Sequence, residues 1–274
     1  MWFNVSAPNK TSPRRPVRVI FLLLGGIAAA GALYAVYRAG SQFEVSGQSK
    51  ETMQQRPEPP PRDLHFQPRS VTATSGNFLV NAGFEEGAAG WKWLDWSREW
   101  GPFSVEPGQA ATGKMAAHLA VHGGPADHAT RVFGVVQEIA SVRFPTRIGG
   151  RYFVERWAPG GAKNAYVQAV IIAMLPRGGQ PTMQLRYILD GVTEPPYNMS
   201  NARYAFVHRR STPEIGRWID FSLDVHDDYE RLWGEVPPDG TGYRVLFEAR
   251  YDDKPANGSV DIDVWYDDLF VGIP

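Results

Sequence analysis

From residue 77 onward, apolar side chains recur at every second position in runs broken by Gly, Pro and Asn. This two-residue period constrains the fold more than any other feature of the chain, because it is the repeat of a half-buried strand. In residues 243–251 (YRVLFEARY), Val245, Phe247, Ala249 and Tyr251 share one face, with Arg244, Glu248 and Arg250 on the other. In residues 218–225, Ile219, Phe221, Leu223 and Val225 oppose Asp220, Ser222 and Asp224. Residues 166–175 form a longer apolar run, as expected of a central strand covered on both faces. Near the end, Val260, Ile262, Val264 and Tyr266 keep one parity and Leu269 and Val271 the other, which predicts a bulge at Asp267–Asp268. Residues 226–235 (HDDYERLWGE) read as a short helix, with acids in its first turn and Leu232 and Trp233 available for packing. There is no alternation of strands with helices. The expected fold class is therefore all-β, two antiparallel sheets packed face to face.

Composition narrows the function. The 274 residues are 43% hydrophobic and 21% charged, which excludes a fully disordered chain and a coiled coil. A net charge of -1 gives no basic field for nucleic acid, so no nucleic-acid partner is expected. The absence of Cys excludes thiol nucleophiles, Cys-ligated metals and disulfides. The charge is unevenly placed: residues 1–18 carry four Lys and Arg and no acid, whereas residues 74–274 hold 19 Lys and Arg against 25 Asp and Glu.

Between these regions, residues 19–37 (VIFLLLGGIAAAGALYAVY) contain no charge. As a helix they would be about 28 Å long, close to a bilayer's hydrocarbon thickness. A cleaved signal peptide is the rival reading, since AAAGA offers small residues near a cleavage site. The run exceeds a usual signal h-region, and Tyr34 and Tyr37 follow in its place. The expectation is a basic cytoplasmic N-terminus (1–18), a single uncleaved transmembrane helix (19–38) in the inner membrane and a Pro-rich linker (39–73). A sandwich domain (74–274) would then sit on the periplasmic or extracellular side. Gly25 with Ala29 and Gly26 with Ala30 form small-xxx-small pairs that let a second helix approach, although small residues are also common in membrane spans. The linker segment QQRPEPPPRD favours polyproline II and would act as a semi-rigid spacer.

The domain opens with NFLVNAGFE (Asn77, Asn81, Phe84, Glu85), then Gly87, Gly90 and Trp91, and closes with VWYDDLFV ending at Val271. Between them lie Ala111-Thr-Gly-Lys114 before a strand, Val136-Gln137, a GRYFVERW segment ending at Trp157, and Gly216-Arg-Trp218. This pattern resembles the galactose-binding-domain-like jelly rolls, particularly carbohydrate-binding modules of the family four and nine type. The resemblance implies a jelly-roll sandwich and a non-catalytic role. It also implies a structural Ca²⁺ held by the carboxylates of Glu85 and Asp267 with a carbonyl from Gly113 or Lys114. Such a ligand set suits calcium, which takes six to eight oxygens. The alternative is an acidic strand end held by backbone N–H groups.

Three further groups carry chemistry. Trp91, Trp93, Trp96 and Trp100 lie in WKWLDWSREW, open to three roles: core, contact with a protein or membrane surface, or stacking on sugar rings. His118 and His122 share a strand face, with His128 beyond a turn; four residues along a strand is ~13 Å, which counts against one shared ion and leaves solvated or hydrogen-bonded histidines as the expectation. Carboxylates are abundant, but no nucleophile elbow, P-loop or HExxH pattern is present. The function expected from these features is a non-catalytic, membrane-anchored accessory subunit. Its span and sandwich would bind and stabilise a larger membrane protein complex. The alternative is an anchored carbohydrate-binding protein holding envelope or external polysaccharide, the partners being lipid bilayer and glycan.

Overall fold

The period-two runs are strands. The computed structural model describes residues 68–174 and 182–274. Its long strands are β5 (Met115–Gly123), β6 (Arg131–Ser141), β7 (Arg147–Ala158), β8 (Asn164–Met174), β9 (Met183–Asp190), β11 (Trp218–Asp224), β12 (Gly242–Asp252) and β13 (Val260–Ile273). Shorter ones are β1 (Arg69–Val71), β2 (Gly76–Asn77), β3 (Trp100–Gly101), β4 (Ser104–Pro107) and β10 (Ala202–Phe206). The expected span with Gly25, Gly26, Ala29 and Ala30, and the basic N-terminus before it, lie outside the described residues. Among the described residues no helix is long and apolar enough to cross a membrane.

Two sheets result. Sheet A runs β1-β6-β12-β8-β9-β10 with β3 also on β6, and sheet B runs β11-β7-β13-β5-β4 with β2 on β13. The eight long strands pair first with last and inward from there: β5 with β13, β6 with β12, β7 with β11, and β8 with β9, each antiparallel. Successive pairs lie in alternate sheets, so the chain is one long hairpin wound into a sandwich, which is a jelly roll. The expectation of purely antiparallel sheets needs a correction at the margins, because β1 and β3 join β6 in parallel and β10 joins β9 in parallel. These additions are two to five residues long, too short to show a period. One of them, β1, lies within the segment read as linker.

The core lies between the sheets and takes the parity read from the sequence. Val245, Phe247, Ala249 and Tyr251 of β12 face Ile262, Val264 and Tyr266 of β13, all buried. The apolar run of β8 sits between β12 and β9 and is buried along both faces. At Asp267 the β13–β7 register shifts, Asp268 takes φ 49°, and Leu269 and Val271 turn inward. The fully buried Tyr266 donates from its hydroxyl to the carbonyls of Gln168 and Glu248, each at 3.1 Å, tying sheet B to the backbone of sheet A.

The helix α1 (Val225–Trp233) begins at the Asp224 cap, whose carboxylate accepts from the Asp227 N–H, and ends at left-handed Gly234. Leu232 and Trp233 are only partly buried. The anchor is Tyr229, fully buried, its hydroxyl donating to the carbonyls of Met183 at 3.0 Å and Ile171 at 3.3 Å.

Candidate functional site

The N-terminal motif is a set of staples. The Asn77 amide donates to Leu269 O at 2.8 Å and accepts from Val271 N at 3.1 Å, fastening the chain to β13 beyond its bulge. Asn81 holds the following turn through Gly87 O, Ala89 O and the Glu86 N–H, and its own carbonyl accepts from the Trp91 indole at 2.9 Å. Phe84, at φ 59°, is wholly buried beside Trp91, ring centroids 5.2 Å apart.

Glu85 and Asp267 then hold one loop from two sides. Glu85 Oε1 accepts from the backbone N–H of Lys114 at 2.8 Å and Met115 at 3.0 Å. Asp267 Oδ2 accepts from Ala111 N at 2.8 Å and Thr112 N at 3.1 Å, and its Oδ1 from Asp268 N at 2.7 Å. Gly113, at φ 64°, makes the turn between these contacts. Calcium requires oxygens converging on a point. The groups bonded to these carboxylates are backbone N–H donors, as the alternative to a calcium site expects.

The two carboxyls respond differently to this arrangement. Burial holds Asp267 above its ordinary value although its three N–H partners act the other way. The N–H groups of Lys114 and Met115 hold Glu85 below its ordinary value of 4.5. A depressed acid contributes stability that is complete above its unfolded value and is lost as pH falls through the folded one. Wild type is therefore expected to be more stable than Glu85→Gln at pH 7, with the difference shrinking below about pH 4.5 and vanishing under stronger acid. Urea midpoints of both proteins across a pH series check this; a difference that grows on acidification would contradict it.

The four tryptophans separate. Trp91 is 6% exposed and packed between Phe84 and Phe247, as a core residue. Trp93 is half-buried and Trp96 is 48% exposed. Trp100 and Leu94 lie on the outer face of sheet A over Val136, Val170 and Leu246. Gly134 makes room for this: a Cβ there would meet the Trp100 ring at 3.2 Å and Glu248 Cγ at 3.1 Å. Trp100 thereby sits at the edge of a polar cluster that the tryptophan pattern alone does not reveal.

That cluster occupies the outward faces of β12, β8, β9 and β10. Registered neighbours place Glu248 opposite Gln168, Arg250 opposite Tyr166, and Arg186 opposite Tyr204. Gln168 Nε2 donates to the Glu248 carboxylate, and Arg250 donates to Asp252. Arg250 lies over the rings of Tyr166 and Tyr197 at 5.5 and 5.4 Å, and Arg186 over Tyr197 at 5.7 Å. Tyr197 meets Tyr204 edge-on at 6.1 Å. Six buried atoms here have no hydrogen-bond partner: Tyr166 Oη, Gln168 Oε1, Arg186 Nη1, Tyr204 Oη, Arg250 Nε and Asp252 Oδ2. Leaving such an atom unpaired costs about 1–3 kcal/mol, so a group of them on one sheet face calls for a partner. Donors and acceptors are mixed, two guanidinium groups balance two carboxylates, and burial keeps the Tyr166 hydroxyl protonated far above neutral pH.

The sequence signal for this site was a glutamine within an otherwise apolar run. Gln168 faces away from the core in a strand with no free edge, and Glu248 stands beside it in the register.

On sheet B the histidines converge. His118 Nε2 and His122 Nε2 lie 3.0 and 3.2 Å from the same Asp263 Oδ1. The ~13 Å expected between them measures backbone along the strand. Asp263 pairs with Ala120, midway between the two, and both rings lean toward it.

No protein-family model and no curated protein sequence matches the chain. Its structural neighbours include carbohydrate-binding modules of β-sandwich type, an adhesin domain and a cellulase. It is similar to the module TmCBM61, solved with beta-1,4-galactotriose, at 12% identity, covering 73% of this chain and 100% of that one with a TM-score of 0.39. It is similar to a family 16 carbohydrate-binding module at 17% identity, covering 71% and 99%, TM-score 0.39. It is also similar to CBM28, a module specific for non-crystalline cellulose, at 13% identity, covering 74% and 98%, TM-score 0.38.

Proposed function

We propose that this protein is a non-catalytic, membrane-anchored carbohydrate-binding protein that holds a neutral polysaccharide against the outer face of sheet A. The observation that carries the proposal is the partly exposed rim above the buried polar cluster, where Arg186 and Arg250 lie over the Tyr197 ring, with Tyr204 and Trp100 beside them. A sugar hydroxyl both donates and accepts, so hydroxyls along this rim can bond the guanidinium and phenol groups alike. The C–H faces of the sugar would lie on the aromatic rings. The uncharged run at residues 19–37 would keep the sandwich at the outer surface of the inner membrane.

The test is affinity electrophoresis of the full chain in mild detergent through gels containing neutral polysaccharides: a β-glucan, a xylan and a β-galactan. At least one should retard the wild type. Arg186→Ala and Tyr197→Ala, checked for unchanged thermal midpoints, should each weaken retardation by about tenfold, which corresponds to ~1.4 kcal/mol. Retardation by none of the gels, or equal retardation of wild type and both variants, would overturn the proposal.

A second reading, the accessory subunit of a membrane complex, draws on the exposed Trp96. It predicts a co-purifying partner after gentle solubilisation that is lost in Trp96→Ala, a substitution expected to leave glycan retardation unchanged.

A further inference from the structure

On the outer face of sheet B, β5 and β13 bring together two imidazoles and two carboxylates. His122 Nε2 lies 3.2 Å from Asp261 Oδ1 and 3.2 Å from Asp263 Oδ1, and His118 Nε2 lies 3.0 Å from the same Asp263 oxygen. We propose that His118, His122, Asp261 and Asp263 form a binding site for a divalent transition metal, zinc being the best match.

The spacing supports the assignment. With Zn–N of about 2.0–2.1 Å and Zn–O of about 2.0–2.2 Å, the ligand atoms of a tetrahedral site stand about 3.3–3.5 Å apart. The three separations above are within a few tenths of an ångström of that edge; the ligand atoms of His122, Asp261 and Asp263 all lie within 4.8 Å of one another, and His118 joins them through Asp263, so its ring must rotate to complete the set. An N₂O₂ donor set of imidazole and carboxylate suits zinc, cobalt or nickel, whereas calcium and magnesium take oxygen alone.

The surroundings hold the ligands in place. Glu106 Oε1 lies 3.5 Å from His118 Nδ1, the position from which a carboxylate orients a metal-bound imidazole. The Trp265 ring stacks on His118 at 4.1 Å and 9°, fixing its plane. Arg156 Nη1 donates to both oxygens of Asp261, Oδ2 at 2.8 Å and Oδ1 at 3.0 Å, and its Nε approaches Asp263 Oδ2 at 3.5 Å, so a metal would take Asp261 Oδ1 from the guanidinium and leave it Oδ2. Asp261, Asp263 and Glu106 against Arg156 leave two negative charges, which a divalent ion would neutralise. Ala120, opposite Asp263, leaves space between the two rings. The site is open to solvent on one side, since the His122 side chain is 53% exposed.

The test uses the full, untagged chain in detergent, stripped with a chelator and then titrated with ZnCl₂ by calorimetry and with CoCl₂ by visible absorption. Saturable binding of one ion per chain is expected, with the intense d–d bands of tetrahedral cobalt. His122→Ala and Asp263→Asn should each weaken binding by at least ~10-fold. His226→Ala removes the other group that could hold an ion, His226 with Asp227 and Glu230, and should change nothing. Absence of saturable binding overturns the proposal, as does loss in His226→Ala with binding retained in His122→Ala. His122 is exposed, so its replacement leaves the fold intact. Polysaccharide retardation depends on the opposite sheet and is expected to be the same with and without zinc, which separates this proposal from the glycan-binding one.

Discussion

Replacing Arg210 by Ala is expected to lower the stability of the domain by about 3–5 kcal/mol, a large part of what holds an ordinary domain folded. Asp190 at the end of β9 is wholly buried. It accepts from Arg210 Nε at 2.9 Å at both oxygens and from Nη2 at 2.5 Å. The Tyr152 hydroxyl at 3.1 Å and the Gly191 N–H at 3.1 Å complete its shell. Without Arg210 the carboxylate stays buried with only neutral partners, and the loss exceeds anything the intact pair adds over an apolar substitute. The pair also pins the excursion between β9 and residue 210, which carries Tyr197 and Tyr204, so polysaccharide retardation should weaken in parallel. Arg210→Lys keeps the charge without the forked geometry and should fall between the two. Urea denaturation with an unchanged slope would report the effect; a loss under about 1 kcal/mol would mean that the pair is not a structural centre.

The second large effect is expected at Asp267. Its replacement by Ala leaves the N–H groups of Ala111, Thr112 and Asp268 without their charged acceptor. Hydrogen bonds to an ionised group contribute about 1.5–3 kcal/mol each, and water can reach Thr112, so a net loss of about 3 kcal/mol is expected. Asp267→Asn keeps one acceptor oxygen and should lose less. Because N–H groups surround the carboxylate, Ca²⁺ added to chelator-treated wild type should raise its thermal midpoint no more than Mg²⁺ does. A calcium-specific rise that disappears in Asp267→Asn would restore the metal reading.

How far these features were legible depends on the scale of the physics behind them. Core-facing positions of β11, β12 and β13 follow from the two-residue period, because parity decides which face is buried. The bulge at Asp267 was legible for the same reason, a parity switch that a regular strand cannot make. Tyr229 was not, since its neighbours in HDDYERLW are charged and only the tertiary fold shows what lies beneath the helix. The polar residues of β12 looked like a solvent face. They are covered because residues 91–100 and the excursion after β9 fold over sheet A, which no local pattern encodes. The shared partner of the two histidines was not legible along one strand because the missing quantity was the register with the neighbouring strand, where Asp263 stands opposite Ala120.

The nested pairing has a consequence for how the molecule opens. Strand β13 lies between β7 and β5, so without it sheet B separates into two ribbons, β11 with β7 and β4 with β5, that share no ladder. No partial loosening can release β13 and leave a sandwich behind. The amide protons in its middle are expected to exchange with solvent through global unfolding, which makes that strand the slowest clock of the sandwich.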